Sequence, residues 1–134
     1  MKTKNKMKEL KTPQELKDML AQNENVVVDV SALSWCQPCK MMKPIFDYMS
    51  EIYQENVQTV LVDVDTNGEA VAEYGVRAVP TFLFFKNGEV VERITGMQPK
   101  QTIKAAYEKL LSYVDYQEVS NEQSTNTEQT ETEN

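Results

Sequence analysis

The chain has 134 residues, 40 % of them apolar, and a formal net charge of −7, which suits one domain built on one core. The acidic balance argues against nucleic acid as a partner, because phosphate binding needs clustered Lys and Arg. No stretch approaches the roughly 20 apolar residues that span a bilayer, so no membrane partner is expected.

Residues 1–6, Met1-Lys2-Thr3-Lys4-Asn5-Lys6, read as a flexible basic N-terminus. No apolar h-region follows them, so no secretory signal is expected and the cytoplasm is the default location. Residues 7–10 suit a short first strand. Thr12-Pro13-Gln14-Glu15 is a strong helix start, with Thr as N-cap, Pro at the first position and Glu at the third. Leu16, Met19 and Leu20 then share one face. Residues 25–31, with three consecutive valines, predict a buried strand that Asp29 interrupts. Residues 40–54 predict an amphipathic helix, since Met42, Ile45, Phe46, Met49, Ile52 and Tyr53 recur at helical spacing. Pro44 lies inside it and should kink it.

Residues 57–64 are a second β-branched run. A short helix is expected to start at Thr66-Asn67-Gly68-Glu69 and reach Tyr74, with Gly75 as its stop. Residues 81–85 predict an apolar strand, Lys86-Asn87-Gly88-Glu89 a hairpin turn, and residues 90–95 the returning strand. Pro99 opens a last helix with Ile103, Ala106, Leu110 and Val114 on its buried face. The order β-α-β-α-β-α-β-β-α implies an α/β fold: a central mixed β-sheet flanked by helices on both faces. Residues 115–134 hold six acidic residues and no Lys or Arg, lack apolar periodicity, and are expected to form a disordered tail.

The chemistry concentrates in Trp35-Cys36-Gln37-Pro38-Cys39, which contains the only two cysteines. A structural disulfide stabilises most by closing a long loop, and this ring is among the smallest. A zinc site needs about four ligands, and the chain has no histidine and no second cysteine pair. A Cys-X-X-Cys between strand and helix instead points to dithiol–disulfide redox chemistry, with no metal. Pro38 suits an early helical position, which places Cys36 at the helix N-terminus. Free N–H groups and the positive dipole end stabilise a thiolate there, so Cys36 is the expected nucleophile and the more enclosed Cys39 the resolving thiol.

Several further segments, in order, make the chain resemble the thioredoxin family over residues 7–114. They are Val26-Val27-Val28-Asp29, the Trp35-to-Lys40 segment, Pro44, Tyr74-Gly75-Val76-Arg77-Ala78-Val79-Pro80-Thr81, Phe84-Phe85-Lys86-Asn87-Gly88-Glu89 and Gly96. The resemblance implies a thioredoxin fold and a protein-disulfide reductase that needs no cofactor. It implies that Asp29 is a buried acid moving the Cys39 proton, and that Pro80 is a cis-proline setting the Val79 backbone against the substrate. Trp35, Gln37, Pro38, Val79, Gly96 and Met97 would form the docking surface. Protein disulfides would be the substrates and thioredoxin reductase the electron donor, with a monomer as default.

The residues alone leave other readings open. Asp29 could be a carboxylate reaching water or a backbone partner. Pro80 could be a trans proline opening an edge strand, since cis X-Pro bonds are only about 5–6 % of cases. The chain also departs from the family pattern. Gln37 stands where Gly is usual, and the Ser31-Ala32-Leu33-Ser34 segment is one residue longer, which predicts a bulge at Leu33 or Ser34. Leu61 stands where bacterial members often carry a lysine near the buried acid. The competing functions are a more oxidising isomerase-like enzyme, a non-enzymatic scaffold binding through the Trp35–Pro80–Gly96 surface, and a metal-bridged dimer.

Overall fold

The computed structural model describes residues 7–114. The basic segment 1–6 and the acidic tail 115–134 lie outside the described residues. Five strands form one sheet in the order β1-β3-β2-β4-β5. They are β1 (Lys8–Glu9), β2 (Asn25–Ser31), β3 (Gln58–Asp63), β4 (Thr81–Lys86) and β5 (Glu89–Thr95). The first three run parallel, and β4 and β5 add antiparallel pairs. A crossover helix is what parallel pairing of β2 and β3 requires, and α2 (Gln37–Ile52) supplies it.

β2 is central and buried along its whole length, which its valine run suits. The period of two sends Val26, Val28 and Val30 to one face and Val27, Asp29 and Ser31 to the other. The first set joins Leu16 of α1 (Pro13–Gln22), Leu83 and Phe85 in one core layer. Val27 joins Met42, Phe46, Met49, Phe82 and Phe84, together with Ile103 and Tyr107 of α4 (Lys100–Leu111), in the other. Asp29 therefore faces the layer beneath α2 and α4.

Local signals explain most boundaries. Thr12 caps α1 in the expected box: its Oγ1 accepts from Glu15 N–H at 3.2 Å, and Glu15 Oε1 accepts from Thr12 N–H at 3.3 Å. Asn87 and Gly88 take φ of 53° and 84°, the positive values a tight hairpin needs. Gly75, at φ 68°, stops a 3₁₀ turn over Gly68–Tyr74.

Helix α2 begins at Gln37 with Cys36 as its cap, as the position of Pro38 implies, ahead of the apolar spacing that starts at residue 40, and it contains Pro44. Three expectations are corrected. The helix after β3 begins earlier, as α3 (Val64–Asn67), because Asp63 Oδ1 accepts from Asp65 N–H at 2.8 Å. Ile52 is exposed, since the buried face of α2 runs through Met42, Phe46 and Met49. Val114 is exposed rather than core, because α4 ends at Leu111 and the apolar stripe ends with it.

Candidate active site

The site sits where β2 leaves the sheet and α2 begins. β2 ends at Ser31, and a turn closed by Cys36 N–H to the Ala32 carbonyl (2.9 Å) carries the chain to the helix. Leu33, Ser34 and Trp35, where a bulge is expected, form this turn, and the β2–β3 register is regular through Ser31. Cys36 is the N-cap of α2, with extended backbone, and its Sγ accepts the Cys39 N–H at 3.2 Å. A sulfur thus takes the place of the oxygen that usually satisfies a first-turn donor.

Cys36 and Cys39 are joined by a disulfide, with Cα atoms 5.2 Å apart. The two sulfurs are unequal. Cys39 is fully enclosed and its Sγ accepts from Ala32 N–H at 3.5 Å, whereas Cys36 keeps 5 % exposure at the surface. Cys36 Sγ lies 3.8 Å from the Val79 carbonyl oxygen. That carbonyl belongs to the loop before β4, where the Val79-Pro80 bond is cis. The Pro80 carbonyl accepts from Gly96 N–H at 2.9 Å, and Thr81 Oγ1 donates to the Ala78 carbonyl at 2.7 Å. These bonds fix the loop against the end of β5 and bring Gly96, at φ 89°, beside Pro80.

The other expected docking residues surround this centre. Gln37 and Pro38 are exposed at the start of α2, Val79 is half-buried, and Met97 follows Gly96 at 49 % exposure. Trp35 is 63 % exposed, and its Nε1 donates to Asp65 Oδ2 at 3.1 Å. Ser34 Oγ donates to the same oxygen at 3.2 Å. Asp65 therefore orients the indole, a role with no local signal, since the two residues are 30 apart in sequence.

Asp29 is fully buried beneath the site. Its Oδ1 accepts from Ser31 Oγ at 2.5 Å, and its Oδ2 has no partner. No hydrogen bond to Cys39 is formed among the described residues, so the two groups share a region rather than a bond. Burial pushes the Asp29 pKa up to about 7, against the opposing pull of the Ser31 hydrogen bond and the Lys43 charge. Leu61 is its β3 neighbour. The cation instead comes from α2, where Lys43 pairs with Asp47 at 2.8 Å. Ser31 was legible as a partner in principle, because residues two apart on a strand share a face.

A redox-active cysteine pair at a helix start, one cysteine at the cap with slight exposure and one fully enclosed, above a buried carboxyl, defines a thiol–disulfide oxidoreductase. The thioredoxin family model matches residues 7–109, and the chain belongs to that family. It is 39 % identical over 87 residues to a thioredoxin of Porphyra purpurea, covering 65 % of this chain and 80 % of that one. It is 37 % identical over 89 residues to the thioredoxin of Bacillus subtilis, covering 66 % and 86 %. Among solved structures, a point mutant of a Halobacterium salinarum thioredoxin superposes with a TM-score of 0.73 at 31 % identity, covering 86 % of this chain and 99 % of that one. The reduced Schistosoma mansoni thioredoxin pre-protein gives 0.71 at 37 % identity, covering 79 % and 99 %. The expected fold is thus the observed one, and the chain is a protein-disulfide oxidoreductase. No helix among the described residues is long and apolar enough to cross a membrane.

Proposed function

We propose that this chain works in the reducing direction, as a monomeric cytoplasmic electron carrier that maintains protein thiols and is recharged by thioredoxin reductase. The observation that carries the reading is the inequality of the two sulfurs. Cys36 caps the helix N-terminus and keeps slight exposure, while Cys39 is fully enclosed behind it.

In the reduced protein the Cys36 thiolate attacks one sulfur of a protein disulfide. A Cys36–substrate bond forms, the substrate S–S bond breaks, and the first substrate thiolate leaves. Cys39 then loses its proton and attacks Cys36 Sγ, releasing the second substrate thiol. Two electrons pass to the substrate and the Cys36–Cys39 disulfide is left. Asp29 is the proton acceptor for Cys39. A carboxyl with a pKa of about 7 is present in both forms near neutral pH, so it can take a proton and later return it. The Val79 backbone beside Cys36 Sγ pairs with the substrate chain. Trp35, Gln37, Pro38, Gly96 and Met97 form the rim around it, and the cis Pro80 holds Val79 in place.

A redox equilibrium titration followed by Trp35 fluorescence tests the direction. A reversible two-electron midpoint close to ~−270 mV supports a reductase, and one at about −120 to −180 mV marks an oxidase or isomerase instead. Cys36→Ser should abolish turnover, whereas Cys39→Ser should accumulate a mixed disulfide visible as a mass increase. Normal turnover by Cys39→Ser would refute the two-thiol cycle.

A further inference from the structure

Helix α2 has a second apolar face that the core does not use. Cys39, Met42, Phe46 and Met49 point into the core. Met41, Ile45, Tyr48 and Ile52 stand at i, i+4, i+7 and i+11, a straight stripe at the spacing of a helix–helix seam. Met41 is 52 % exposed, and Tyr48 and Ile52 are each 43 % exposed. Ile45 is half-buried and joins the stripe to the core. Eleven residues of helix make this seam about 16 Å long. Solvated helix faces are ordinarily polar, so an apolar stripe of this length marks a contact surface.

Two observations indicate what the stripe meets. Its upper end is continuous with the redox site, because Gln37 and Pro38 lie one turn before Met41 and flank Cys36. Its border is cationic: Lys100 Nζ stands 4.1 Å from the Tyr48 ring centroid, Lys104 Nζ 5.2 Å from that of Tyr53, and Lys40 is exposed near the upper end. The carboxylates nearby are Asp47, paired with Lys43 at 2.8 Å, Glu51, half-buried on α2, and Glu108, which accepts from Tyr53 Oη and pairs with Lys104 at 3.9 Å. Lys40 and Lys100 form no ion pair among the described residues.

We propose that the Met41–Ile45–Tyr48–Ile52 face extends the docking surface and seats an amphipathic helix of a partner protein, apolar along the seam and acidic on its flank, while the partner's disulfide meets Cys36. Helix-on-helix docking reads i, i+4 and i+7 anchors in this way. The inference rests on Cys36 being the attacking sulfur, and it makes this oxidoreductase selective among protein disulfides rather than faster on all of them.

The test uses full-chain protein and two synthetic peptides of equal composition. One is a Glu-flanked helix with apolar residues at i, i+4, i+7 and i+11. The other has the same residues scrambled. Each carries a cysteine, at either end in turn, capped as a disulfide with glutathione. The wild-type protein should reduce the amphipathic peptide at least about fivefold faster in kcat/KM, and Met41→Gln/Tyr48→Gln/Ile52→Gln should erase that preference. Reduction of oxidised glutathione should be unchanged in the variant, and thermal unfolding reports that it is folded. Lys100→Glu is the independent variant: with a third peptide of the same apolar spacing but flanked by Lys, it is expected to favour that peptide over the Glu-flanked one. Equal rates on both peptides by wild type, or a preference that survives the triple substitution, overturns the proposal. A variant that speeds reduction of the amphipathic peptide also overturns it, and assigns the face to this chain's own acidic tail. If Cys36→Ser reduces both peptides as wild type does, it is the reading of Cys36 that fails.

Discussion

A carboxyl group in the middle of a fully buried strand raises the free energy of the folded state whenever it is charged, and Asp29 is such a group. One oxygen has the Ser31 hydroxyl, the other has no partner, and burial outweighs both the hydroxyl and the Lys43 charge. The consequence for stability has a definite sign. The native carboxyl titrates at about 7 and the unfolded one near its ordinary value of 3.8, so the native state holds the proton more tightly between those values. Stability from this group is therefore fully present below about pH 4 and is lost as pH rises to about 7, with an upper bound of about 4 kcal/mol. Asp29→Asn removes the titration. In urea unfolding of the oxidised protein, the variant should gain about 2–4 kcal/mol relative to wild type between pH 4 and pH 8. A pH-independent difference would mean that Asp29 keeps an ordinary pKa. The slope across pH is the informative quantity, because the Asn amide adds an unpaired donor whose cost does not vary with pH.

Elements in this chain begin and end where short-range chemistry says so, and two glycines separate that chemistry into opposite effects. Gly68 has φ −60°, helical backbone, and an added Cβ would meet only Val64 Cβ at 3.9 Å, an ordinary contact. Gly75 has φ 68°, with open space around an added Cβ, so only the backbone conformation resists substitution. Gly68→Ala should stabilise by about 0.4–1 kcal/mol by restricting the unfolded chain, whereas Gly75→Ala should destabilise by about 1–2 kcal/mol. Thermal unfolding of the two variants should move in opposite directions, and a shared direction would refute the conformational account. The same short-range rules made the Thr12 box and the Asn87-Gly88 hairpin legible in the sequence. They did not place the start of α3, because Asp63 ends a strand and caps a helix at once, and the β-branched run masks the second role. Nor did periodicity separate Ile52 from the core. A helix with apolar residues on two faces satisfies the same spacing whichever face is buried.

Across the whole molecule, the Cys36–Cys39 motif and the alternation of elements were readable because they are contiguous in sequence, while the ties between layers were not. Tyr107 illustrates the limit. Its neighbours Ile103, Ala106 and Leu110 announce a buried face, but a tyrosine one position along a helix turn also suits a wet edge. It is instead fully enclosed, stacked on Tyr53 at 4.8 Å and set edge-on to Phe84 at 5.7 Å. Its hydroxyl is 2.7 Å from Thr59 Oγ1, a bond between α4 and β3 spanning 48 residues. Burial holds the phenol well above its usual pKa, so it stays neutral and acts only as a hydrogen-bonding group. Removing one partner leaves the other polar and buried, which costs about 1–3 kcal/mol, whereas removing both restores an apolar contact. Tyr107→Phe alone and Thr59→Val alone should therefore each destabilise by about 1–2 kcal/mol. The double variant should be less destabilised than their sum by at least about 1 kcal/mol, read from urea midpoints at constant m. Strict additivity would show that each hydroxyl finds another partner, and that the two layers are joined at this point by apolar packing alone.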